Sequence, residues 1–337
     1  MYKYIFNRIA LMGLIMLIVC SITFFIVRWL PGDPVFLWVG DHPTKEQIEK
    51  ARKDFGFNEP IYKQYLSFLK KTAKLDLGVS LRTRQPVTIE ILNRFFATFE
   101  LVFFSMLIAI ILGFPMGLVS ALKQEKRFDY FARGLGYIGL SLPVFWFGMI
   151  LQLIFFGILY WLPLQGRYSG MGSLDAPLIY NSGFLLIDSF LSMDVDLFMD
   201  VLKHITLPAF TMAFGVLGIV LRTTRSTMIE TINTPFFSTF KSFGFNDGEI
   251  IRKSAYKNTF IPVSTVVGLS FGLMLGGTFL VESIFDWPGL GQFSVLSILT
   301  RDFPAIIGVT ILYSAIYVII NFFIDLFYVI VDPRIRH

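Results

Sequence analysis

Residues 97–121 read ATFELVFFSMLIAIILGFPMGLVSA and contain one charged side chain, that of Glu100. A helix needs about 20 apolar residues to cross a hydrocarbon layer of roughly 30 Å, so this stretch predicts a transmembrane helix. Further stretches of the same kind lie at 9–30, 134–162, 205–222, 260–284 and 304–330. The sequence therefore predicts an all-α integral membrane protein with six transmembrane helices.

The composition agrees with a membrane location. The chain is 55% hydrophobic and 16% charged, which is far more apolar surface than one soluble core needs. The first apolar stretch follows Lys3 and Arg8, as a signal peptide would, but it is too long and is not followed by a small-residue cleavage site. We therefore interpret it as a retained span.

The distribution of Lys and Arg predicts the orientation, because cationic loops resist export across the membrane. Short loops on one side carry most of these cations: Lys3, Arg8, Lys123, Lys126, Arg127, Arg133, Arg222, Arg225, Lys241, Arg252, Lys253, Lys257, Arg334 and Arg336. The opposite short loops are rich in Asp. This pattern predicts cytoplasmic N- and C-termini in the cell membrane. It also explains the net charge of +5 without nucleic-acid binding.

The long loop at 31–95 is predicted to be an ordered, helical extracytoplasmic segment. Thr44 followed by Gln47 is a capping-box pattern, and the helix that it opens should stop at Gly56. Pro60 suits the start of a second helix. The apolar face of that helix, Ile61, Tyr65, Phe68 and Leu69, predicts contact with the membrane surface or with neighbouring helices.

The stretch TPFFSTFKSFGFND, residues 234–247, lies between the fourth and fifth spans. Asn233 or Thr234 can cap a short helix, Pro235 fits its first position, and Gly244 can end it in a left-handed turn. About nine residues of helix span only about 13 Å, which is too short to cross a bilayer.

Phe236, Phe240 and Phe243 follow a helical spacing in this segment, with Phe237 beside them. Such a helix either lies on lipid headgroups or fits a groove in another protein. Because Lys241 is a poor anchor for anionic lipid, the pattern slightly favours docking to a protein.

The fifth span carries a stripe of small residues, Ser264, Gly268, Gly272 and Gly276, on one helix face. Small residues at this spacing allow another helix to approach closely. Two interpretations stay open: static packing within the chain, or a face that moves against a partner subunit beside a transport pathway.

The spans lack ionisable groups at their midplane, where an ion-coupled carrier would usually have them. No GxxxxGK[ST] motif is present, so the chain has no recognisable ATP site. His42, His204 and His337 are too scattered to predict a metal site, and no catalytic constellation is evident. The chain is therefore predicted to be neither an enzyme nor a cofactor-binding protein. The alternatives are a stand-alone secondary transporter or channel and, less well supported, an intramembrane enzyme.

Motifs along almost the whole chain resemble the dipeptide, oligopeptide and nickel permease family of ABC importers. They are WLPGDP at 29–34, DFGFNEPIYKQYLSFL at 54–69, LDLGVSLRTRQPV at 75–87, SLPVFW at 141–146, HITLPAF at 204–210, RSTMIE at 225–230, YKNTFIPV at 256–263, ESIFDWPGLG at 282–291 and DPRIR at 332–336. Their joint order and spacing make the resemblance specific.

The resemblance implies a type I ABC importer permease fold, in four parts: an N-terminal span at 1–30, an outer segment at 31–95, a permease domain at 96–330 and a tail at 331–337. Within the permease domain, 234–250 resembles the EAA loop, the coupling helix that docks into a cytoplasmic ATPase. Its Glu-Ala-Ala falls on Ser238, Thr239 and Phe240 and its Gly on Gly244, while Phe243 stands where Lys is common. The coupling residues implied are Phe236, Phe237, Ser238, Thr239, Phe240, Lys241, Phe243, Gly244 and Phe245.

The resemblance also implies partners. These are a second, homologous permease in a heterodimer, two ATPase subunits that hold ATP and Mg, and an extracytoplasmic solute-binding protein. It implies import of peptides, with oligosaccharides or nickel as other solutes of related permeases.

Overall fold

The computed structural model describes residues 2–29, 39, 44–54, 56, 58–170, 182–251 and 256–331. Residues 31–38 and 40–43 of the predicted outer segment, and residues 332–337 of the predicted tail, lie outside the described residues. Within the described ranges the chain forms helices and no β-strand, with one isolated antiparallel bridge between Val79 and Pro86. The predicted all-α class is confirmed.

The helices begin and end as follows: α1 Tyr2–Trp29, α2 Lys45–Asp54, α3 Ile61–Ala73, α4 Val87–Leu122, α5 Arg127–Ser141, α6 Val144–Gln152 with a π-helical turn Leu153–Ile158, α7 Leu185–Leu191, α8 Val195–Ile232, α9 Pro235–Ser242, α10 Asp247–Ile250, α11 Tyr256–Gly277, α12 Phe279–Ile284, α13 Leu290–Leu299 and α14 Phe303–Val331. By length and apolarity, five helices in the described ranges could cross a membrane: α1, α4, α8, α11 and α14. A sixth span is obtained if α5 and α6 are counted as one.

The predicted third span, 134–162, corresponds in the structure to parts of two helices, α5 and α6, with the π-helical turn that follows. Helices α5 and α6 meet at a bend of 106°. Pro143 causes the break, because it cannot donate a backbone hydrogen bond and disfavours helical backbone in the residue before it. Leu142 accordingly has extended dihedral angles, φ −78° and ψ 132°.

Other span boundaries also differ from those predicted. Helix α4 begins ten residues before the predicted span, because the amphipathic run after Pro86 continues into it without a break. Helix α8 runs from Val195 to Ile232, well beyond 205–222 at both ends. The predicted fifth span, 260–284, is divided into α11, which ends at Gly277, and the short α12. Both α4 and α8 are longer than their apolar stretches, because the polar residues that flank those stretches are also helical.

One compact unit contains residues 1–96 and 289–319. Its core is formed by Val87, Ile91, Leu290, Phe293, Ala305 and Val309. The buried Asp302 carboxylate holds the loop before α4, accepting hydrogen bonds from the Ser80 hydroxyl and from the Leu81 backbone N–H at 3.0 Å.

The predicted capping box in this unit is present. Thr44 Oγ1 accepts from the Gln47 N–H at 3.3 Å, and Gln47 Oε1 accepts from the Thr44 N–H at 2.9 Å. Helix α2 ends at Asp54, two residues before the left-handed Gly56 at φ +70°. The sequence signals therefore give the limits of this helix correctly.

Of the two predicted surroundings for α3, the structure shows a neighbouring helix. The rings of Tyr65 and Phe68 pack against that of Phe24 of α1 in tilted geometry, with centroids 5.4 and 5.3 Å from its centroid. Ile61, which was predicted to share this face, is 59% exposed. The helix therefore meets α1 along a narrower strip than its sequence predicted.

The second compact unit contains residues 97–288 and 320–337. Helix α8 lies at the centre of this unit. In its most apolar 18-residue stretch, 78% of the residues are buried, and the helix contacts α5, α6, α7, α11 and α12. It approaches α4 closely at Gly117, where an added Cβ would lie 2.6 Å from Thr224 Cβ and 2.7 Å from the Leu221 carbonyl oxygen. Small residues therefore bring α4 and α8 into backbone contact.

Candidate functional site

The segment 234–250 folds as two short helices, α9 and α10, directly after α8. Asn233 is the C-cap residue of α8. Thr234 is the N-cap residue of α9 and has extended dihedral angles, φ −74° and ψ 151°. Of the two predicted caps, the structure therefore shows Thr234. Its hydroxyl donates back to the Thr231 carbonyl at 2.7 Å instead of accepting from α9. Pro235 occupies the first helical position, as predicted.

The C-terminus of α9 is closed by a Schellman motif. Gly244 is left-handed at φ +88° and donates to the Lys241 carbonyl at 3.0 Å, while Phe245 donates to the Phe240 carbonyl at 3.3 Å. The Phe240 and Phe245 rings lie 5.5 Å apart, which is the hydrophobic contact that accompanies this motif. These bonds give the chain a defined direction as it leaves α9.

The aromatic residues of this segment differ greatly in exposure. Phe237 is buried, Phe240 is half-buried, and Phe243 is 77% exposed. The hydroxyls of Ser238 and Thr239 both donate to the Pro235 carbonyl at 2.8 Å, so both find their partner within the helix. The main apolar projection is therefore Phe243, at the C-terminal end of α9, with Phe245 beside it at 39% exposure.

The base of this segment is attached to a hydrophobic cluster. Leu118 and Ala121 of α4 pack with the fully buried Met228 of α8, and Ile251, just after α10, packs against them. Asn246 opens α10 with its own cap, accepting from the Glu249 N–H at 2.8 Å. The segment is therefore joined at its base to well-packed parts of α4 and α8.

A buried ion cluster lies on α5 and joins three helices. Asp129 is fully buried and accepts hydrogen bonds from Arg225 Nε at 2.6 Å and Nη2 at 2.9 Å, and from Ser120 Oγ at 2.6 Å. It thereby links α4, α5 and α8. Sequence reasoning used Arg225 only as a marker of orientation and missed its pairing. The one signal was an acidic residue inside a basic loop, and its partner lies 96 positions away.

A second buried cluster lies around Glu100. Its carboxylate pairs with Arg167 and also accepts from the Leu186 N–H at 2.8 Å. Nearby, Glu282 Oε1 accepts from Thr98 Oγ1 at 2.7 Å. Both glutamates agree with the predicted absence of ionisable groups from the midplane of the spans, since Glu100 and Glu282 lie near the ends of the apolar stretches 97–121 and 260–284. Sequence reasoning missed that the loop residue Arg167 comes back to pair with one of them.

The predicted stripe on α11 has mixed surroundings within this chain. A Cβ on Gly268 would lie 2.8 Å from Ile324 of α14, and Gly272 is buried. Gly276 is exposed, and among the residues that the structure describes an added Cβ there would meet nothing within 4 Å. Ser264 donates its hydroxyl to the Ile261 carbonyl at 2.8 Å. One end of the stripe is thus packed within the chain, and the other is open.

Beside this open end lies an apolar cavity of about 340 Å³. Its lining includes Gly139, Met212, Ser270, Met274, Gly277 and Val281. A helical bundle with apolar spans, a broken span, and an exposed short helix between two spans is the organisation of a transport permease subunit.

Comparison with known proteins places the chain in a family. A model described as binding-protein-dependent transport system inner membrane component matches residues 113–337, and one for the N-terminal part of such membrane components matches residues 1–102. The dipeptide transport system permease protein of Alkalihalophilus pseudofirmus is 37% identical over 337 residues, covering 100% of both chains. The probable D,D-dipeptide transport system permease protein of Escherichia coli is 38% identical over 325 residues, 96% of this chain and 95% of that one. The glutathione transport system permease protein of Pectobacterium atrosepticum is 34% identical over 339 residues, with 100% of both covered.

The chain belongs to the binding-protein-dependent transport system inner membrane component family. It is a multi-pass permease subunit of an ABC importer, and it works in a membrane with separate ATPase and solute-binding proteins. ATP hydrolysis belongs to those ATPase subunits, so the stand-alone carrier and the intramembrane enzyme are wrong. In the described part of the chain, no group of His, Cys, Asp or Glu side chains could hold a metal ion.

Proposed function

We propose that this permease imports short peptides and that α9 couples it to its ATPase by inserting Phe243 into an apolar cleft. The observation that carries the coupling proposal is the 77% exposure of Phe243 beside the buried Phe237. An exposed aromatic ring on a rigid helix end is typical of an interface anchor, because it fills a pocket with little loss of conformational freedom. Lys is common at the position of Phe243 in the coupling helices that this segment resembles. A Lys side chain there would need a polar cleft in the ATPase and not an apolar one.

Coupling also requires that force on α9 reaches the spans. The Schellman bonds at Gly244 hold the exposed ring in one direction, and Met228 and Ile251 anchor the two ends of the segment in one cluster. ATP-driven closure of the ATPases would therefore move α9 together with α8 and change the balance between inward-open and outward-open states. The ATPases and the solute-binding protein act by preferring different states of this equilibrium.

The pathway is formed with a second, homologous permease, and a heterodimer is the arrangement we propose. The open end of the α11 stripe at Gly276 and the neighbouring cavity supply a surface for this contact. Both termini and the α9 segment lie on the cytoplasmic side, since the cationic short loops are on that side. The 31–95 segment lies outside, toward the solute-binding protein.

Peptides are the proposed solutes because full-length relatives at 35–38% identity are named as dipeptide or D,D-dipeptide permeases. Oligosaccharides and nickel, which the family resemblance also allowed, have no such support among these relatives. With the cognate solute-binding protein present, unlabelled dipeptides should compete with labelled dipeptide uptake, whereas nickel and an oligosaccharide should not. Competition by nickel or the sugar alone would overturn the assignment.

The test of coupling is Phe243→Ala in the complete importer. Truncating an interface anchor typically costs about 2 kcal/mol, so ATPase binding should weaken roughly 30-fold. We expect the ATPases to be lost during purification, or to hydrolyse ATP without peptide uptake. The matched control is Phe190→Ala, which removes an equally accessible ring, 68% exposed, from α7.

Phe190→Ala should leave ATPase copurification unchanged. If Phe243→Ala also retains wild-type copurification and uptake in correctly inserted protein, α9 is not the coupling element. The lipid-surface interpretation would then be favoured.

A further inference from the structure

A cavity of about 390 Å³ with both polar and apolar walls lies in the first compact unit, among the end of α1, one face of α3, the loop before α4 and the start of α14. Its walls are well supported. The Tyr65 hydroxyl of α3 is hydrogen-bonded to Ser21 Oγ of α1 at 2.6 Å, and Gly78 of the loop approaches Pro304 of α14. The cavity is thus bounded by packed elements that the unit holds together.

The lining of this cavity carries charges of both signs. Three cations, Arg28, Lys63 and Lys71, line it together with two carboxylates, Glu59 and Asp76. Lys63 is bound to Glu59 at 3.1 Å, and both side chains are more than half exposed, so this pair contributes little stability. Gln64, Ser67 and Thr72 add hydrogen-bonding groups on the same face of α3. Such a lining suits a ligand that carries an anionic and a cationic group.

The position of the cavity relative to the spans identifies the ligand class. Arg28 lies one residue before the end of the α1 span at Trp29, and Pro304 lies one residue after the start of the α14 span at Phe303. By length and apolarity both spans end there, so we expect this part of the cavity to lie at the depth of the lipid headgroups. Phe68, Leu77 and Ile307 give the cavity an apolar side.

Helix α1 offers room for acyl chains beside this cavity. Only 17% of the residues in its most apolar 18-residue stretch are buried within the protein. Ile18, Ile22 and Ile26, one helical turn apart, are each about half exposed. A lipid whose headgroup enters the cavity can therefore lay its chains against this row.

We propose that this cavity binds the headgroup of a zwitterionic phospholipid that carries a phosphate and a primary ammonium group. The phosphate pairs with Lys71 and Arg28, and the ammonium group pairs with Asp76 and Glu59. The inference depends on membrane insertion only and is independent of the coupling role of α9. The same charges could recognise a free zwitterion, such as glycerophosphoethanolamine or a dipeptide. The test therefore compares the lipid with these two soluble molecules.

The test is native mass spectrometry of the full-length permease in its complex, delipidated in detergent and titrated with phosphatidylethanolamine. Lys71→Glu should weaken lipid binding about tenfold, the scale of one charge-assisted hydrogen bond. Lys70→Glu is the matched control, since it makes the same charge change on the same turn of α3 outside the cavity lining. It should leave binding within about twofold.

Asp76→Asn separates a zwitterion site from a general anion site. It should weaken phosphatidylethanolamine binding while leaving phosphatidylglycerol binding unchanged or stronger. Equal losses from Lys70→Glu and Lys71→Glu, in variants that remain monodisperse, would overturn the proposal in favour of diffuse surface charge. Binding of glycerophosphoethanolamine or a dipeptide as tightly as the lipid would overturn it in favour of a free solute.

Discussion

Asp129 is the residue at which three helices of the second compact unit are joined. It is fully buried, yet its carboxylate is fully engaged by Arg225, by Ser120 and by the Glu125 N–H at 3.0 Å. A buried charge is tolerated only when it is paired and hydrogen-bonded, and removal of one partner leaves the other uncompensated. This residue therefore stabilises the part of the unit from which α8 leads to α9.

We expect Asp129→Asn to lower the free energy of unfolding by about 3 kcal/mol, because it leaves the Arg225 guanidinium without a counter-charge. Thermal unfolding of the purified protein in detergent measures this loss. The exposed Glu125→Gln is the control and should change stability by less than about 0.5 kcal/mol. The double variant Asp129→Asn with Arg225→Gln should recover part of the loss. Equal stability of all these variants would show that the pair contributes nothing.

At the scale of single elements, α9 depends on one backbone conformation. Gly244 has φ +88°, where a side chain carrying a branched Cβ is strained. No atom of the described residues lies within 4 Å of an added Cβ there, so strain of the backbone is the main obstacle to substitution within this part of the chain.

Gly244→Val should therefore misdirect α9 and abolish peptide uptake while leaving the spans inserted. Gly244→Asn is the matched control, because Asn tolerates the left-handed region, and it should retain most of the uptake. Uptake and ATPase copurification are measured for both. Full activity of the Val variant would mean that the direction of α9 is unimportant.

The stripe on α11 makes a different prediction at each of its ends. Gly268 is already packed against Ile324, whereas Gly276 is open within this chain. If a second permease covers the open end, a large side chain at Gly276 must obstruct that contact without disturbing this subunit.

Gly276→Leu should leave the stability of the isolated permease within about 0.5 kcal/mol and should prevent copurification of the second permease. Gly134→Leu is the control, since Gly134 of α5 also has open space around its Cβ position. Normal assembly of the Gly276→Leu importer would show that this end of the stripe faces lipid.

At the scale of the whole molecule, topology decides which surfaces meet the ATPases and which meet the solute-binding protein. Lys50 and Lys126 are both exposed, one in the 31–95 segment and one before α5. The orientation predicted from the cationic loops places them on opposite sides of the membrane.

Lys50→Cys and Lys126→Cys, each in a Cys20→Ser background, should react with an impermeant thiol reagent from opposite sides. Cys20 is buried, but the hydroxyl of a Ser there can donate to the backbone carbonyl one helical turn earlier, as those of Ser21 and Thr23 do, so the replacement should be well tolerated. Labelling of Lys50→Cys in intact cells, and of Lys126→Cys only after permeabilisation, is the expected result. Labelling of both from one side would contradict the proposed topology.

The sequence alone determined those properties of this chain that depend on residues close together along it. Apolar length predicted where the chain can cross a membrane but not the exact bounds of the helices, whereas the Thr44 to Gln47 box and Gly244 predicted helix ends, because these signals act within a few residues. Motif order likewise indicated the permease family before the comparisons showed it.

Only the tertiary structure decided which distant groups meet. The partner of Asp129 is 96 positions away, and that of Glu100 is 67 positions away. No local pattern reports such pairs, because their energy exists only when the helices have packed. The same reason explains Phe237 and Phe243: both fit an amphipathic helix, but packing buries Phe237 to 8% exposure and leaves Phe243 at 77%.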